Sequence, residues 1–379
     1  MTTAPALPSR RLVDRIGRLN WGIITLLCAL AIIGVMMHFS NAGGFFQEMP
    51  LTHAGRFIGL LVLVIGFALM PPRYYYMAAY PLYVAALLLL VAVELVGETR
   101  MGATRWLSVG PVSIQPSELM KIAIVLTLAR YYNDLKPQHA TSVWFALPAL
   151  FIIAAPVGLI MHQPDLGTSM LVALAGFAIM FLAGLRWRYI IPAGLVAIVG
   201  AVVAYFRVLH EYQRARIEQF LGLVDDPLGE GYHVAQSKIA IGAAGFFGQG
   251  WGQGSQSQHD FLPETHTDFI YTMIVEEFGL LGGLVVLGLF GALMWQALEV
   301  AQRARTIFGK LAASGVAATL ACYVLINTGM VMGLVPVVGI PLPLISYGGT
   351  AMVTLMAGFA IVLSIDLHRD QAGSRGLLW

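Results

Sequence analysis

The chain has 379 residues, 58% of them hydrophobic and 11% charged, with a mean hydropathy of +0.77. Soluble globular proteins carry about 25% charged residues, so most of this surface cannot face water. The 22 Lys and Arg against 20 Asp and Glu leave a net charge of +2, which excludes a basic nucleic-acid binder and an acidic disordered chain. Two cysteines, Cys28 and Cys322, each inside an apolar run, exclude a disulfide scaffold and a cysteine-ligated zinc site.

Four arginines (Arg10, Arg11, Arg15 and Arg18) precede the first apolar run and imitate a secretion signal. That run is 19 residues long and others follow it, so a retained anchor is expected. A helix needs about 20 mostly apolar residues to cross the hydrocarbon. Ten runs qualify: 21–39, 53–70, 77–96, 116–132, 144–161, 166–185, 189–206, 269–298, 311–334 and 350–367. Arg56 interrupts the second, and Glu118 and Lys121 the fourth. Barrel strands alternate apolar and polar residues, and these runs do not. The expected fold is an all-α integral membrane protein, a single polytopic domain of about ten transmembrane helices. It has a large extracytoplasmic loop before the eighth helix and a re-entrant Pro/Gly-rich segment before the tenth.

Orientation follows the distribution of Lys and Arg. With the N-terminus in the cytoplasm, the loops and tails on that side hold Arg10, Arg11, Arg15, Arg18, Arg73, Lys136, Arg186, Arg188, Arg303, Arg305, Lys310, Arg369 and Arg375. The outer loops, the segment 207–268 aside, hold only Arg100 and Arg105. Both tails, 1–20 and 368–379, are therefore expected in the cytoplasm and the working face outside. The inner loops are too short for a nucleotide site. No G-x-x-x-x-G-K-[ST] occurs, and G-Q-G-W-G-Q-G at 248–254 lacks the lysine and the strand–helix context of a phosphate loop. The outer segments 97–115, 207–268 and 335–349 are long enough to carry function.

In chain order, Arg105 and Trp106 offer a cation and a flat aromatic at the outer surface, which alone make an interfacial anchor. Glu118 and Lys121 sit three residues apart and share a helix face inside a span. Such charges either pair structurally or line a substrate path, and both readings stay open. Asp165, in H-Q-P-D-L-G-T-S at 162–169, is a default helix cap. The segment 207–268 holds eight acidic and four basic residues. Its opening stretch 207–224 is amphipathic and suits a helix at the interface or packed on the bundle. A second helix is expected over 233–244, carrying Lys238, and then comes the glycine cluster.

H-D-F-L-P-E-T-H-T-D-F at 259–269 is the strongest chemical candidate, crowding His259, Asp260, Glu264, His266 and Asp268 before the eighth span. Asp268 has three readings: a helix cap, a ligand in a divalent-metal site, or a general base at the mouth of the bundle. Glu276 and Glu277 are expected to face the bundle interior. P-V-V-G-I-P-L-P-L-I-S-Y-G-G-T at 336–350 cannot continue a helix and is too apolar for an ordinary loop. A re-entrant stretch bordering an outer cavity fits, with Ser346 as the polar group presented. A glycosidase needs paired carboxylates. A sugar transferase with a lipid diphosphate donor needs one base and cations to neutralise the leaving group. The residues lean towards the second without separating it from a lipid transporter.

Three stretches carry a resemblance: N-T-G-M-V-M-G-L-V-P-V-V-G-I-P-L-P-L-I-S-Y-G-G-T at 327–350, S-Q-S-Q-H-D-F-L-P-E-T-H-T-D-F-I at 255–270, and R-W…Q-P-S-E-L-M-K at 105–121. Together with the ten spans and the large loop, they resemble the SEDS family (shape, elongation, division and sporulation). G-I-P-L-P and S-Q-x-x-F-L-P-E resemble its elongation branch, RodA, rather than its division branch. The resemblance implies a peptidoglycan glycosyltransferase polymerising lipid II on the outer face of the bacterial cytoplasmic membrane. Asp268 would be its general base, and Glu118 and Lys121 a cavity pair needed for activity. It places Arg105, Trp106, Asp165, Lys238 and Ser346 in matching motifs as substrate-binding candidates. It implies a class B penicillin-binding protein, a transpeptidase, as partner, alongside MreB, MreC and MreD and membrane lipids. No cofactor is called for with certainty, and a divalent cation, Mg or Mn, stays open. A lipid II flippase and a division-type polymerase are the alternatives. A pure scaffold would leave the Glu118–Lys121 pair and the Asp268 cluster without purpose.

Overall fold

The computed structural model describes residues 12–44, 48–100, 103–109, 112–136, 139, 142–207, 211–221, 223, 230–258 and 266–370. A short helix α1 (Leu12–Gly17) leads into α2 (Trp21–Asn41), whose first turn is capped by Asn20 accepting from the Ile23 amide. Then follow α3 (Glu48–Ala68), α4 (Pro72–Val96), α5 (Pro116–Asp134), α6 (Val143–His162), α7 (Leu166–Leu182) and α8 (Trp187–Arg207). Proline at the first turn of α4 and α5 fits a position that needs no amide donor. After α9 (Glu211–Phe220), α10 (Glu230–Ala243) and α11 (Ser255–Gln258) come the long helices α12 (Ile270–Arg303), α13 (Ile307–Val331) and α14 (Gly349–His368).

Seven of these, α2, α3, α4, α6, α12, α13 and α14, are long and apolar enough to cross a membrane, and α7 is a shorter apolar helix. The other two runs expected to span coincide with α5, which carries Glu118, Lys121, Arg130 and Asp134, and with α8. The molecule is mostly helical and layered radially. α13 and α14 bury 72% and 78% of their apolar windows, whereas α3 and α4 bury 22%. The last two long helices are therefore the centre, and α3 and α4 belong to the rim. Around the centre, α13 packs on α5, α7 and α12, while α14 packs on α3 and α5. Small residues allow the close approaches, as at Gly315 against Val125 and Ile179.

Two features depart from a simple bundle. The stretch 97–115, expected as a loop, forms a three-stranded antiparallel sheet of β1 (Glu98–Arg100), β2 (Ala103–Val109) and β3 (Val112–Ile114). Glu98 pairs with Trp106, and Leu107 with Ile114. The second departure is a break inside α12 at Gly279, whose φ of 70° and ψ of −168° are not helical. The backbone groups freed there are taken up by the glycine-rich turn after α10. Gln249 and Gly250 donate to the carbonyls of Glu276 and Glu277 at 2.9 and 3.1 Å. Leu280 and Leu281 donate to those of Gly245 and Phe246 at 3.1 and 3.2 Å. A Cβ on Gly248 would lie 2.2 Å from the Glu277 carbonyl oxygen, and one on Gly279 would lie 2.3 Å from that of Phe246. The cluster is thus a backbone splint for a broken helix.

Between α13 and α14 the chain runs through 332–348 without regular structure, yet Ile340, Leu342, Leu344 and Ile345 are all buried. Gly333, at φ 70°, turns it out of α13, and its amide bonds the Met330 carbonyl.

Candidate active site

The buried charge lies where α5, α13 and α14 meet. Lys121 Nζ stands 2.7 Å from Glu118 Oε1, one turn away on α5, and donates to the Tyr323 hydroxyl of α13 at 2.6 Å. That hydroxyl in turn donates to Glu118 Oε2 at 3.3 Å, and Thr354 Oγ1 of α14 donates to the same oxygen at 2.6 Å. The lysine is 2% exposed and its ammonium also lies 4.9 Å from the Tyr323 ring centre. Sequence spacing announces the Glu118–Lys121 pair. Tyr323 and Thr354 lie more than 200 residues further on, and nothing local marks them.

Asp165 caps α7, its Oδ1 accepting from the Thr168 amide at 3.1 Å. It also stands 3.7 Å from Arg105 Nε and accepts from Gln115 Nε2 at 3.4 Å. Arg105 reaches from β2 to donate to the Pro164 carbonyl at 2.6 Å. The small sheet is thereby fastened to the α6–α7 turn. Trp106, its neighbour, is half-buried.

Asp268 lies in a turn, 266–269, just before α12. The N-cap position is taken by Phe269, which has no side chain to cap with, so the cap expected of an aspartate is not where Asp268 sits. Its backbone carbonyl accepts from Asn327 Nδ2 of α13 at 2.8 Å, and the same amide nitrogen donates to the Ile340 carbonyl at 2.7 Å. Gly339 (φ 65°) lies beneath the carboxylate: a Cβ there would be 3.4 Å from Asp268 Oδ2. Ser346 is 1% exposed, donates to the Thr267 carbonyl at 2.6 Å and accepts from the Leu342 amide at 2.8 Å. Its hydroxyl is turned to backbone rather than presented to a cavity as expected. Tyr347 N donates to the His266 carbonyl at 2.8 Å. The irregular segment and the Asp268 turn are therefore stitched together residue by residue.

Other groups gather at this end of the bundle. Lys238 of α10 crosses the end of α13, its Cε 2.1 Å from where a Gly333 Cβ would be. α10 is pinned by Ser237, whose hydroxyl lies 2.6 Å from Thr272 Oγ1 and donates to the Val331 carbonyl. Arg216 of α9 donates to the Val337 carbonyl at 3.4 Å. From the other side His53 Nε2 meets the Leu344 carbonyl at 2.9 Å, and Leu344 holds a left-handed φ of 69°. The His38 ring lies 4.7 Å from that of His53, tilted by 60°, and the Arg56 guanidinium lies 4.9 Å over the Tyr347 ring. These histidines read as ordinary residues of apolar runs and carry no sequence signal, while Asn327 opens the 327–350 stretch without being singled out there.

Glu276 and Glu277 face inward as expected, 0% and 1% exposed. Glu276 accepts from the Gln256 amide at 2.7 Å and Glu277 from the Ser40 hydroxyl at 2.5 Å. Among the described residues no three His, Cys, Asp or Glu side chains gather to hold a metal ion. His259, Asp260 and Glu264 lie outside the described residues.

Tyr323 and Asn327 are four residues apart on α13 and so share a face. One turn of that helix, about 6 Å of rise, therefore separates the group that touches the Glu118–Lys121 pair from the group that holds Asp268. One helix face thus carries both the contact to the buried Glu118–Lys121 pair and the contact to the backbone of the Asp268 turn.

The FtsW/RodA/SpoVE model of cell cycle proteins matches residues 19–371. The peptidoglycan glycosyltransferase MrdB of Escherichia coli K12 is 45% identical over 348 residues, covering 92% of this chain and 93% of its own. MrdB of Helicobacter pylori J99 is 38% identical over 344 residues, 90% and 88% of the two chains. Among solved structures, a chain of a peptidoglycan synthase complex superposes with a TM-score of 0.80 at 32% identity, covering 93% of this chain and 99% of that one. RodA of Thermus thermophilus superposes at 0.67 with 30% identity, covering 93% and 97%. With its buried Glu118–Lys121 pair, its stitched Asp268 turn and these relatives along nearly its whole length, the chain belongs to the FtsW/RodA/SpoVE family of cell cycle proteins.

Proposed function

We propose that the chain is a peptidoglycan glycosyltransferase of the elongation type, polymerising lipid II with Asp268 as general base. The observation that carries the site assignment is the placement of Asp268, its carboxylate over Gly339 and its carbonyl on Asn327, a residue one helical turn from the Tyr323 that touches Lys121 and Glu118. In the reaction the Asp268 carboxylate takes the proton of the acceptor's GlcNAc 4-hydroxyl. The oxygen attacks the anomeric carbon of the donor's MurNAc and forms a β-1,4 bond with inversion. The bond from that carbon to the diphosphate breaks, and undecaprenyl diphosphate leaves with the electron pair. Lys238 is the cation that counters its charge, while Lys121 and Arg105 are engaged by Glu118 and Asp165 and shape the site. Arg105 and Asp165 fix the sheet that carries Trp106 beside the site, and Ser346 holds the Asp268 turn.

The protein is multi-pass in the bacterial inner membrane, with both termini cytoplasmic and the site outside. The excess of Lys and Arg in the loops assigned to the cytoplasm supports this. A class B penicillin-binding protein is the crosslinking partner, with MreB, MreC and MreD in the same machinery. A flippase is the competing reading. Repeat-built transporters place broken helices in corresponding halves. Among the described residues the two breaks, at Gly279 and 332–348, both fall in the last third of the chain, which supports the enzyme. Purified protein in proteoliposomes with lipid II on one side separates the two. Glycan polymer without net lipid transfer supports the polymerase, and transfer without polymer refutes it.

A further inference from the structure

We infer that Asn327 is a positioning residue for Asp268, an assignment that rests on the reading of Asp268 as the base. Asn327 is 0% exposed, and its two N–H bonds go to two carbonyls that belong to different walls of the same site. One is the carbonyl of Asp268 itself. The other is that of Ile340, the residue after Gly339, whose missing Cβ leaves room for the Asp268 carboxylate. A single rigid amide thus fixes the carboxylate turn relative to the floor beneath it. An amide nitrogen can do this without bringing a charge into the site, because it supplies two donors from one atom. The reverse orientation of the side chain would set an oxygen against two carbonyl oxygens, so the hydrogen-bond network assigns the amide unambiguously.

Asn327 Oδ1 is buried and meets no hydrogen-bond partner among the described residues, a state that is unfavourable for an acceptor. The amide is oriented towards Asp268 and Ile340 at the expense of its own oxygen. Tyr323, one turn away on the same face, touches Lys121 and Glu118. Asn327 therefore also sets the distance between the base and the buried cation through the stiffness of α13. It does not act on substrate itself.

The test uses the full chain co-purified with its cognate transpeptidase, in detergent, with lipid II as substrate. Asn327→Leu keeps the branched shape and removes both donors, and Asn327→Ala removes them with less crowding. Misplacing a catalytic group by about 1 Å costs about 100-fold in rate. The expected result is a kcat lower by about 10- to 100-fold at a temperature where both variants remain folded, with KM for lipid II and partner retention as in the wild type and only a modest drop in melting temperature from the two stranded carbonyls. Asn327→Asp, which faces the same carbonyls with oxygen, is expected to be at least as slow. Wild-type turnover in either the Leu or the Ala variant, with Asp268→Asn inactive, overturns the assignment. So does a loss of turnover that tracks a loss of melting temperature in both variants, which leaves Asn327 a packing residue. Full activity of Asp268→Asn instead removes the base reading itself, a failure distinct from the other two.

Discussion

Lys121 has its charge met by Glu118 and its hydrogen bonds shared with Tyr323, at 2% exposure. Removing one partner of a buried ion pair costs about 3–5 kcal/mol because the other charge is stranded. Glu118→Ala is therefore expected to lower stability by about that amount in thermal or denaturant unfolding. The Glu118→Ala/Lys121→Ala double variant should regain most of the stability while remaining inactive. A double variant more active than either single one would make the pair purely structural. Tyr323→Phe removes a hydroxyl that both accepts and donates, and is expected to cost about 1–3 kcal/mol. At this scale the sequence is informative where chemistry is local. The spacing of Glu118 and Lys121 and the cap at Asp165 are both legible. The contacts of Tyr323, Thr354 and His53 are not, because their partners lie far along the chain, and Asn327 stands in a recognisable stretch that does not show which carbonyls it binds. Ser346 shows the limit from the other side: a polar residue in an apolar stretch reads as a ligand group, whereas its hydroxyl joins two backbone segments.

Elements were legible as apolar runs but not as backbone. The run 269–298 reads as one continuous span, since hydropathy is blind to dihedral angles and glycine is common in membrane helices. The break at Gly279 depends on φ > 0 there and at Gly248, and on backbone approaches that leave no space for a Cβ. A left-handed conformation costs a residue with a Cβ about 1–2 kcal/mol, and the clash with carbonyl oxygens adds to it. Gly279→Ala and Gly248→Ala should each lower the melting temperature. An unchanged melting temperature would show that the splint contributes nothing. The small sheet escaped for another reason. Its strands of 3, 7 and 3 residues are too short to establish an alternating pattern.

For the whole molecule, composition and run length already dictate a polytopic helical bundle. What they leave out is the radial order, because α3 and α14 are both apolar yet one is rim and the other centre. Between lipid and protein there is no difference in hydropathy to read. The proposed orientation makes a direct prediction. In a protein lacking Cys28 and Cys322, a cysteine placed at exposed Phe247 should react with a membrane-impermeant maleimide added to intact cells, and one at Arg305 should react only after lysis. The opposite pattern would invert the topology.

The central claim is tested most directly by polymerisation of purified lipid II, using this chain co-purified with its cognate penicillin-binding protein and an Asp268→Asn variant prepared in parallel. The account predicts glycan polymer from the wild type and none from the variant, with both proteins equally folded and equally bound to the partner. Polymer formed by Asp268→Asn at the wild-type rate would contradict it.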